Sequence, residues 1–374
     1  MVNKYIIIAS QDYSSANHKE LWKELARTSE NDVIIVDIPA DYVVSVLKKK
    51  FYRIQESKQG VREIAQHLYL VRPLLWIRPE LLPDGLLWLV AQQFWSLIRK
   101  KFPDIFTCRC NIIIYDARWA RILLNTHPNM KLAYYLYDEV RHNGRDYSIN
   151  KERTRQDEFA CRHCDVIFTM TKCLAESRNN YNNNILLLGN GAQKNFMNSF
   201  VYPVIPKSVA FVGNFRDWID VELLENLIKG RTDTMFCFVG SVEGNMQAIF
   251  DYLLHKYPNM AYFGRVSKEQ IFDVYRMFGC VIIPYLNNPF IKATRPIKIV
   301  ESVLAGTPVV TIPMNGYNES EFIRFASNVD DFDREIDFVL NHPIDIYSCD
   351  YIQFCLENSW TKKTEIIIDS FERI

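Results

Sequence analysis

The sequence predicts an α/β protein of two parallel-sheet domains facing each other across a cleft. Short runs of β-branched and aromatic residues alternate with segments of helical periodicity, the pattern of parallel sheets covered by helices. Two such series occur, and a proline-bearing stretch without helical pattern, "FVYPVIPK" at 200–207, separates them. With 374 residues and 48% hydrophobic content, the chain can build two such cores, each Rossmann-like.

In the first series the strand segments are "KYIIIAS", "DVIIVDIP", "LYLVRPL", "NIIIYD", "KLAYYLYD", "DVIFTM" and "NILLLGNG". Most are apolar runs closed by Asp, Asn, Gly, Ser or Pro, which favour turns. The most apolar helical segment is "LLWLVAQQFWSLIRKK" at 86–101, interrupted by two glutamines and ended by a basic cluster. It falls short of the ~20 apolar residues of a membrane span. It reads as a core helix with a basic end or as an interfacial helix.

The second series runs "SVAFVGNF", "TMFCFVGS", "MAYFGRV", "CVIIPYL" and "TPVVTIP", with helices at "DVELLENLIKG" and "KEQIFDVYRMF". The tail, 347–374, reads as helical and is expected to pack back on the first domain. The expected domains are therefore 1–200 joined by that tail, and 207–346.

A net charge of zero argues against a dedicated nucleic-acid binder. The halves differ: residues 1–200 hold 28 Lys+Arg against 21 Asp+Glu, and residues 201–374 hold 16 against 23. The basic half, with "KKKFYR" at 48–53 and "IRKKF" at 98–102, suits an anionic membrane surface; an uneven solvated surface is the plain alternative. Nine cysteines show no regular spacing, and Cys161-Arg-His-Cys164 lacks the second close pair of a zinc site. Reduced cysteines fit the cytoplasm, and "YIIIA" is too short for a secretory apolar region.

Ligands of such folds bind at the carboxyl ends of the strands. In "TRPIKIVESVLAGTPVV" (294–310), Pro296 suits the first helical position and Gly306 the stop. Ile297, Val300 and Leu304 are spaced for the buried face, while Lys298, Glu301 and Ala305 share a neighbouring one. Lys298 opposes the helix dipole, and Glu301 follows in the weaker lysine-first order. A diphosphate bound at the helix start would make that lysine favourable. Glu301, one turn on, would then accept hydrogen bonds from ribose hydroxyls. A solvated Lys–Glu pair is the plain alternative.

The block "AYFGRVSKEQIFDVYRMFGCVIIPYLNNPFIKATRPIKIVESVLAGTPVVTIP" resembles the donor-binding domain of GT-B glycosyltransferases. It is most similar to the bacterial polysaccharide enzymes of the teichuronic acid and xanthan glucuronosyltransferase type. The shared elements are Gly264-Arg265, Pro284, Thr294-x-Pro296-x-Lys298-x-x-Glu301 and Gly306-Thr-Pro308-Val-Val. The resemblance covers most of the second domain and extends more weakly over 130–200.

It implies that Arg265 and Val266 frame the nucleobase and that Thr294 and Lys298 hold the diphosphate, with Pro296 and Ile297 at the helix start. It further implies that Glu301 holds the ribose and that Gly213 and Asn214 let the chain approach the phosphates. Where the E-x7-E branch of retaining enzymes has a glutamate, this chain has Ala293, which favours the glucuronosyltransferase-like branch.

In the first domain the resemblance places a functional aspartate at Asp138 of "YYLYDEV", with a glutamate such as Glu158 on the following helix. Chemistry agrees, since sugar transfer to a hydroxyl needs a base near the acceptor oxygen. A turn or N-cap aspartate is the plain alternative, and His142 is a rival base. Asp12 is a second candidate base. Tyr13 and His18 in the acceptor loop after the first strand, and Glu139, complete the acceptor side. "LLLGNGAQKNF" resembles the family's N-G-x-x-x-x-F element at Asn190-Gly191 and Phe196; plainly read, it is a tight turn.

The expected activity is transfer of a sugar from a nucleotide diphosphate donor, UDP-linked, to a glycan or lipid-linked acceptor in cell-surface polysaccharide synthesis. Asp138 would be the catalytic base; no cofactor and no metal are expected, since no D-x-D pair follows a strand of the second domain. The alternatives are a GT-B nucleotide-sugar 2-epimerase and a non-catalytic binding subunit. The expected place is the cytoplasm, with peripheral contact to the membrane.

Overall fold

The computed structural model describes residues 3–16, 18–41, 49, 51–75, 79, 82–142, 148–192, 204–268, 270–288, 291 and 294–374. Lys48, Lys50, Phe196, residues 200–203 and Ala293 lie outside the described residues. The chain forms two compact units, Met1–Leu188 with Trp360–Ile374, and Gly189–Ser359.

The first unit contains β1 (Asn3–Ile8), β2 (Asp32–Val36), β3 (Arg62–Ala65), β4 (Leu68–Val71), β5 (Arg109–Ile114), β6 (Met130–Leu136), β7 (Val166–Thr169) and β8 (Ile185–Leu187). They form one sheet in the order β8-β7-β6-β5-β1-β2-β4-β3. All pairs are parallel except β3 with β4. Each of the seven segments expected in this half carries a strand. Central strands are covered on both faces and so read as unbroken apolar runs; Ile6 pairs with Ile34 on one side and Ile112 on the other. Strand β3 went unpredicted because its residues are largely exposed and show no alternation.

In the second unit the strands are β9 (Ile205–Val212), β10 (Met235–Val239), β11 (Met260–Gly264), β12 (Phe278–Ile283), β13 (Val309–Thr311) and β14 (Ile323–Phe325). The order is β11-β10-β9-β12-β13-β14, parallel throughout. Strand order reverses between β9 and β12, which places the ligand crevice of such a sheet there. In the first unit the reversal falls between β1 and β5.

Among the helices, α1 is Lys19–Ser29, α2 Leu87–Arg99, α3 Lys151–His163, α4 Ile297–Leu304, α5 Cys349–Glu357 and α6 Trp360–Arg373. The tail is thus two helices. Helix α5 belongs to the second unit, where the Tyr351 hydroxyl donates to the Leu304 carbonyl at 3.0 Å. Helix α6 belongs to the first. It buries Trp360, Thr364, Ile367 and Phe371, one stripe at helical spacing. Thr361 on α6 donates to Glu24 on α1 at 2.5 Å.

Helix α4 corrects two details of the sequence reading. Pro296 is its N-cap in extended conformation, not its first helical residue. Its buried face is Ile299, Val300, Val303 and Leu304, and Ile297 is only half-buried. The C-terminal stop is as expected: Gly306 takes φ +85° just beyond the Ala305 cap.

Candidate functional site

Three neighbouring strands of the second unit end in glycine. Gly213, Gly240 and Gly264, after β9, after β10 and at the end of β11, take φ of 143°, 144° and 72°. The Gly213 N–H donates to the Val239 carbonyl and the Gly240 N–H to the Gly264 carbonyl, both at 2.8 Å. A Cβ on Gly240 would collide with the Gly213 carbonyl. The strand ends therefore form a ledge of bare backbone.

Lys298 lies on that ledge. A Cβ on Gly213 would collide with its Nζ and stand 3.2 Å from its Cε. The ammonium sits 4.5 Å from the Phe211 ring centre and 5.3 Å from that of Tyr285. Phe211 belongs to β9 and Tyr285 follows β12, so the cation stands at the reversal of strand order. The two ring faces attract it and offset its poor placement in the first helical turn.

The neighbouring candidates divide into fixed and open groups. Asn214 accepts from the Ser241 hydroxyl at 2.6 Å, and the Phe215 N–H donates to the Ser241 carbonyl at 2.8 Å, which binds two loops together. Arg265 is exposed; Val266 packs half-buried against the core. Glu301 is half-buried and accepts from the Tyr275 hydroxyl at 3.3 Å. Burial raises its pKa, against the Tyr275 hydrogen bond and the Lys268 and Lys298 charges. The Thr294 hydroxyl donates to the Ile291 carbonyl at 2.7 Å, so its one proton is already engaged within the loop.

Sequence reasoning missed Arg295. The Asn190 amide donates to its carbonyl at 2.5 Å, and its guanidinium stacks 4.7 Å from the Tyr317 ring centre. The Asn190-Gly191 turn therefore belongs to the loop that leads into α4. An asparagine between two glycines, Gly189 and Gly191, was the available signal.

In the first unit His18 lies at the strand-order reversal, 5.4 Å from Tyr115, 5.1 Å from Tyr135, 6.1 Å from Tyr137 and 6.3 Å from Trp360, ring centre to ring centre. Asp12 pairs with Arg72 at 2.7 Å, as does the buried Asp37, and Glu56 pairs with it at 2.9 Å. Tyr13 donates its N–H to Asp37 at 3.1 Å. Tyr13, Asp37, Glu56 and Arg72, together with Ser14 and Leu70, line a cavity of about 100 Å³. His142 sits in a short bridge with Ile149.

Glu139 is also engaged. Arg178, fully buried, grips it through two nitrogens at 2.7 and 2.8 Å and reaches Asp157 at 3.1 Å. Arg141 adds two more bonds at 3.0 Å. Burial pushes the Glu139 carboxyl up, but the two arginines overcome this and hold it at about 2. Glu158 accepts from Tyr181 at 2.9 Å; the charge that α3 buries is Asp157, one residue earlier. Asp116, after β5, is held by Arg118 at 2.9 Å.

Asp138 differs from these carboxylates. Its side chain is exposed and accepts the Glu139 N–H at 2.9 Å, and no ion pair to it occurs among the described residues. Surrounding protein and the adjacent Glu139 charge raise its pKa, opposed by that N–H. Cys161 and Cys164 are buried, with the Cys161 thiol pushed up to about 12 by desolvation.

Comparison with known proteins bears on the fold. Residues 206–342 match the family model described as glycosyl transferases group 1. Sucrose-phosphate synthase from Thermosynechococcus elongatus superposes with a TM-score of 0.71 at 13% identity, covering 99% of this chain and 98% of that one. The fold is GT-B. Anabaena HepE, solved in complex with UDP and glucose, is a further GT-B neighbour, with TM-score 0.65, 12% identity and 99% and 100% coverage. TuaH of Bacillus subtilis (strain 168), provisionally assigned as a teichuronic acid biosynthesis glycosyltransferase, is 26% identical over 102 residues. That match spans 27% of this GT-B chain and 25% of the relative.

Proposed function

We propose that the protein is a glycosyltransferase that moves a sugar from a UDP-sugar to a glycan or lipid-linked acceptor in cell-surface polysaccharide synthesis. The observation that carries this reading is Lys298 on the bare ledge at Gly213, at the start of α4 and at the reversal of strand order. Backbone N–H groups, helix dipole and ammonium converge there on the place of an anion. UDP in the HepE structure and the role assigned to TuaH support the donor and the pathway.

In the reaction the acceptor oxygen bonds to the anomeric carbon as the bond from that carbon to the diphosphate breaks. Asp138 takes the acceptor proton. Lys298 and the helix start stabilise the charge that develops on the departing diphosphate. Glu301 holds the ribose, Arg265 and Val266 frame the base, and Gly213 and Asn214 line the approach to the phosphates. His18, Tyr13 and Asp12 lie on the acceptor side.

A thermal-shift screen against nucleoside diphosphates tests the donor site, because a bound ligand raises apparent stability. UDP should stabilise the protein; no response to any nucleoside diphosphate rejects the reading. Incubation with UDP-sugars alone separates transfer from 2-epimerisation, since only an epimerase releases a new sugar nucleotide without acceptor.

The proposed location is the inner membrane face. Leu86, Trp88 and Leu89 are exposed at the start of α2, and Arg99, Lys100 and Lys101 are exposed at its end. Among the described residues no helix is long and apolar enough to cross a membrane. The protein should float with anionic liposomes at low salt, and failure to do so would remove the membrane from the proposal.

A further inference from the structure

We propose that Arg295 is the positioning residue of the donor site, setting the start of α4 from the two places where the chain passes between its units. The chain enters the second unit at Gly189 and leaves it after Ser359. Arg295 touches both passages. Its guanidinium lies over Gly189, where a Cβ would stand 3.0 Å from Cζ. One terminal nitrogen donates to the Asn358 side chain at 3.2 Å. The backbone carbonyl of Arg295 accepts from Asn190 at 2.5 Å, and the Ala192 N–H donates to the Asn358 carbonyl at 2.9 Å. Entering and leaving segments are thus bonded to each other and to one arginine.

The same arginine defines the helix start. Its guanidinium stacks on Tyr317, and the Tyr317 hydroxyl donates to the Pro296 carbonyl at 2.7 Å. Pro296 is the N-cap of α4, so that bond fixes the residue two before Lys298. A Cβ on Gly316 would stand 3.0 Å from Arg295 Cγ, so a side chain there would press on the arginine and shift it. Asn190, Tyr317 and Asn358 are all buried, and Arg295 is half-buried among them. A planar, five-donor group that stacks and hydrogen-bonds at once suits this place, and lysine cannot replace it.

The inference rests on the donor-site reading for its consequence, though not for its geometry. Two readouts on the full chain therefore test it: UDP affinity by calorimetry, and amide exchange at Ile299–Glu301 without ligand. Arg295→Ala and Arg295→Lys should each weaken UDP at least tenfold and speed that exchange. Tyr317→Phe, which keeps the ring, should speed exchange and weaken UDP by a smaller factor. A merely structural arginine would lower the melting temperature while the folded protein kept its UDP affinity and its exchange at α4. That result, or UDP binding within twofold of the parent in both arginine variants, overturns the proposal. If the parent binds no UDP, the donor reading fails, and faster exchange at α4 in the variants still decides for the positioning role.

Discussion

The ammonium of Lys298 occupies the space that a Cβ on Gly213 would need, with the centre of the Phe211 ring 4.5 Å away. Removing the charge tests the proposed donor site. Lys298→Ala is expected to weaken UDP binding by about 1.5–3 kcal/mol, the scale of a hydrogen bond to a charged group. Titration calorimetry reads this directly, and unchanged affinity would refute the assignment.

The glycine is the other half of that contact. Gly213→Ala places a methyl where the ammonium lies, at a φ of 143° that side chains rarely adopt. It should lower stability by about 1–3 kcal/mol, the usual scale of such backbone strain. It should also cost UDP affinity, although no ligand contact is deleted. Chemical denaturation and calorimetry on one preparation check both effects.

Asp138→Asn should leave UDP affinity unchanged and reduce transfer by roughly 10²–10⁴-fold, the span of general-base catalysis. A base works only when deprotonated, and the Asp138 pKa lies above its ordinary value of 3.8. The parent's kcat/KM should therefore rise with pH through that raised pKa, and the asparagine variant should lose this limb. A single-turnover pH series is the measurement.

Glu139 carries a pH signature of the opposite kind. Its folded pKa, about 2, is below the ordinary 4.5, so the stability it contributes is complete above 4.5 and lost as pH falls towards 2. A shift of this size corresponds to about 3 kcal/mol. Glu139→Gln should be less stable at neutral pH and show a flatter loss of stability across that acid window. Urea melts from pH 2 to pH 7 would show it.

Much of the architecture was legible because parallel strands covered on both faces leave unbroken apolar runs such as "YIII" and "NIII", and thirteen-residue α2 kept its helical stripe. Exposed strand β3 and the three-residue β14 left no such trace. The helix at Lys298 was legible through Gly306 and the apolar spacing of Val300 and Leu304, whereas the N-cap place of Pro296 and the two rings that hold the lysine were not. What the sequence could not reveal was partnership at a distance. Arg295 reads as an ordinary loop arginine until Gly189, Gly316 and Tyr317 are seen around it. Likewise, "DE" at 138–139 gives no hint that a fully buried Arg178 grips one carboxylate and leaves the other to solvent.

That division of labour has a practical consequence for anyone mapping the protein by mutagenesis. The loop that presents Asp138 is moored, one residue on, to a charge sealed inside the protein. Cutting the mooring would set the neighbouring carboxylate adrift, and an activity screen would score Glu139 alongside Asp138, the proposed base. Only a stability measurement run alongside the assay would separate the anchor from the residue it holds in place.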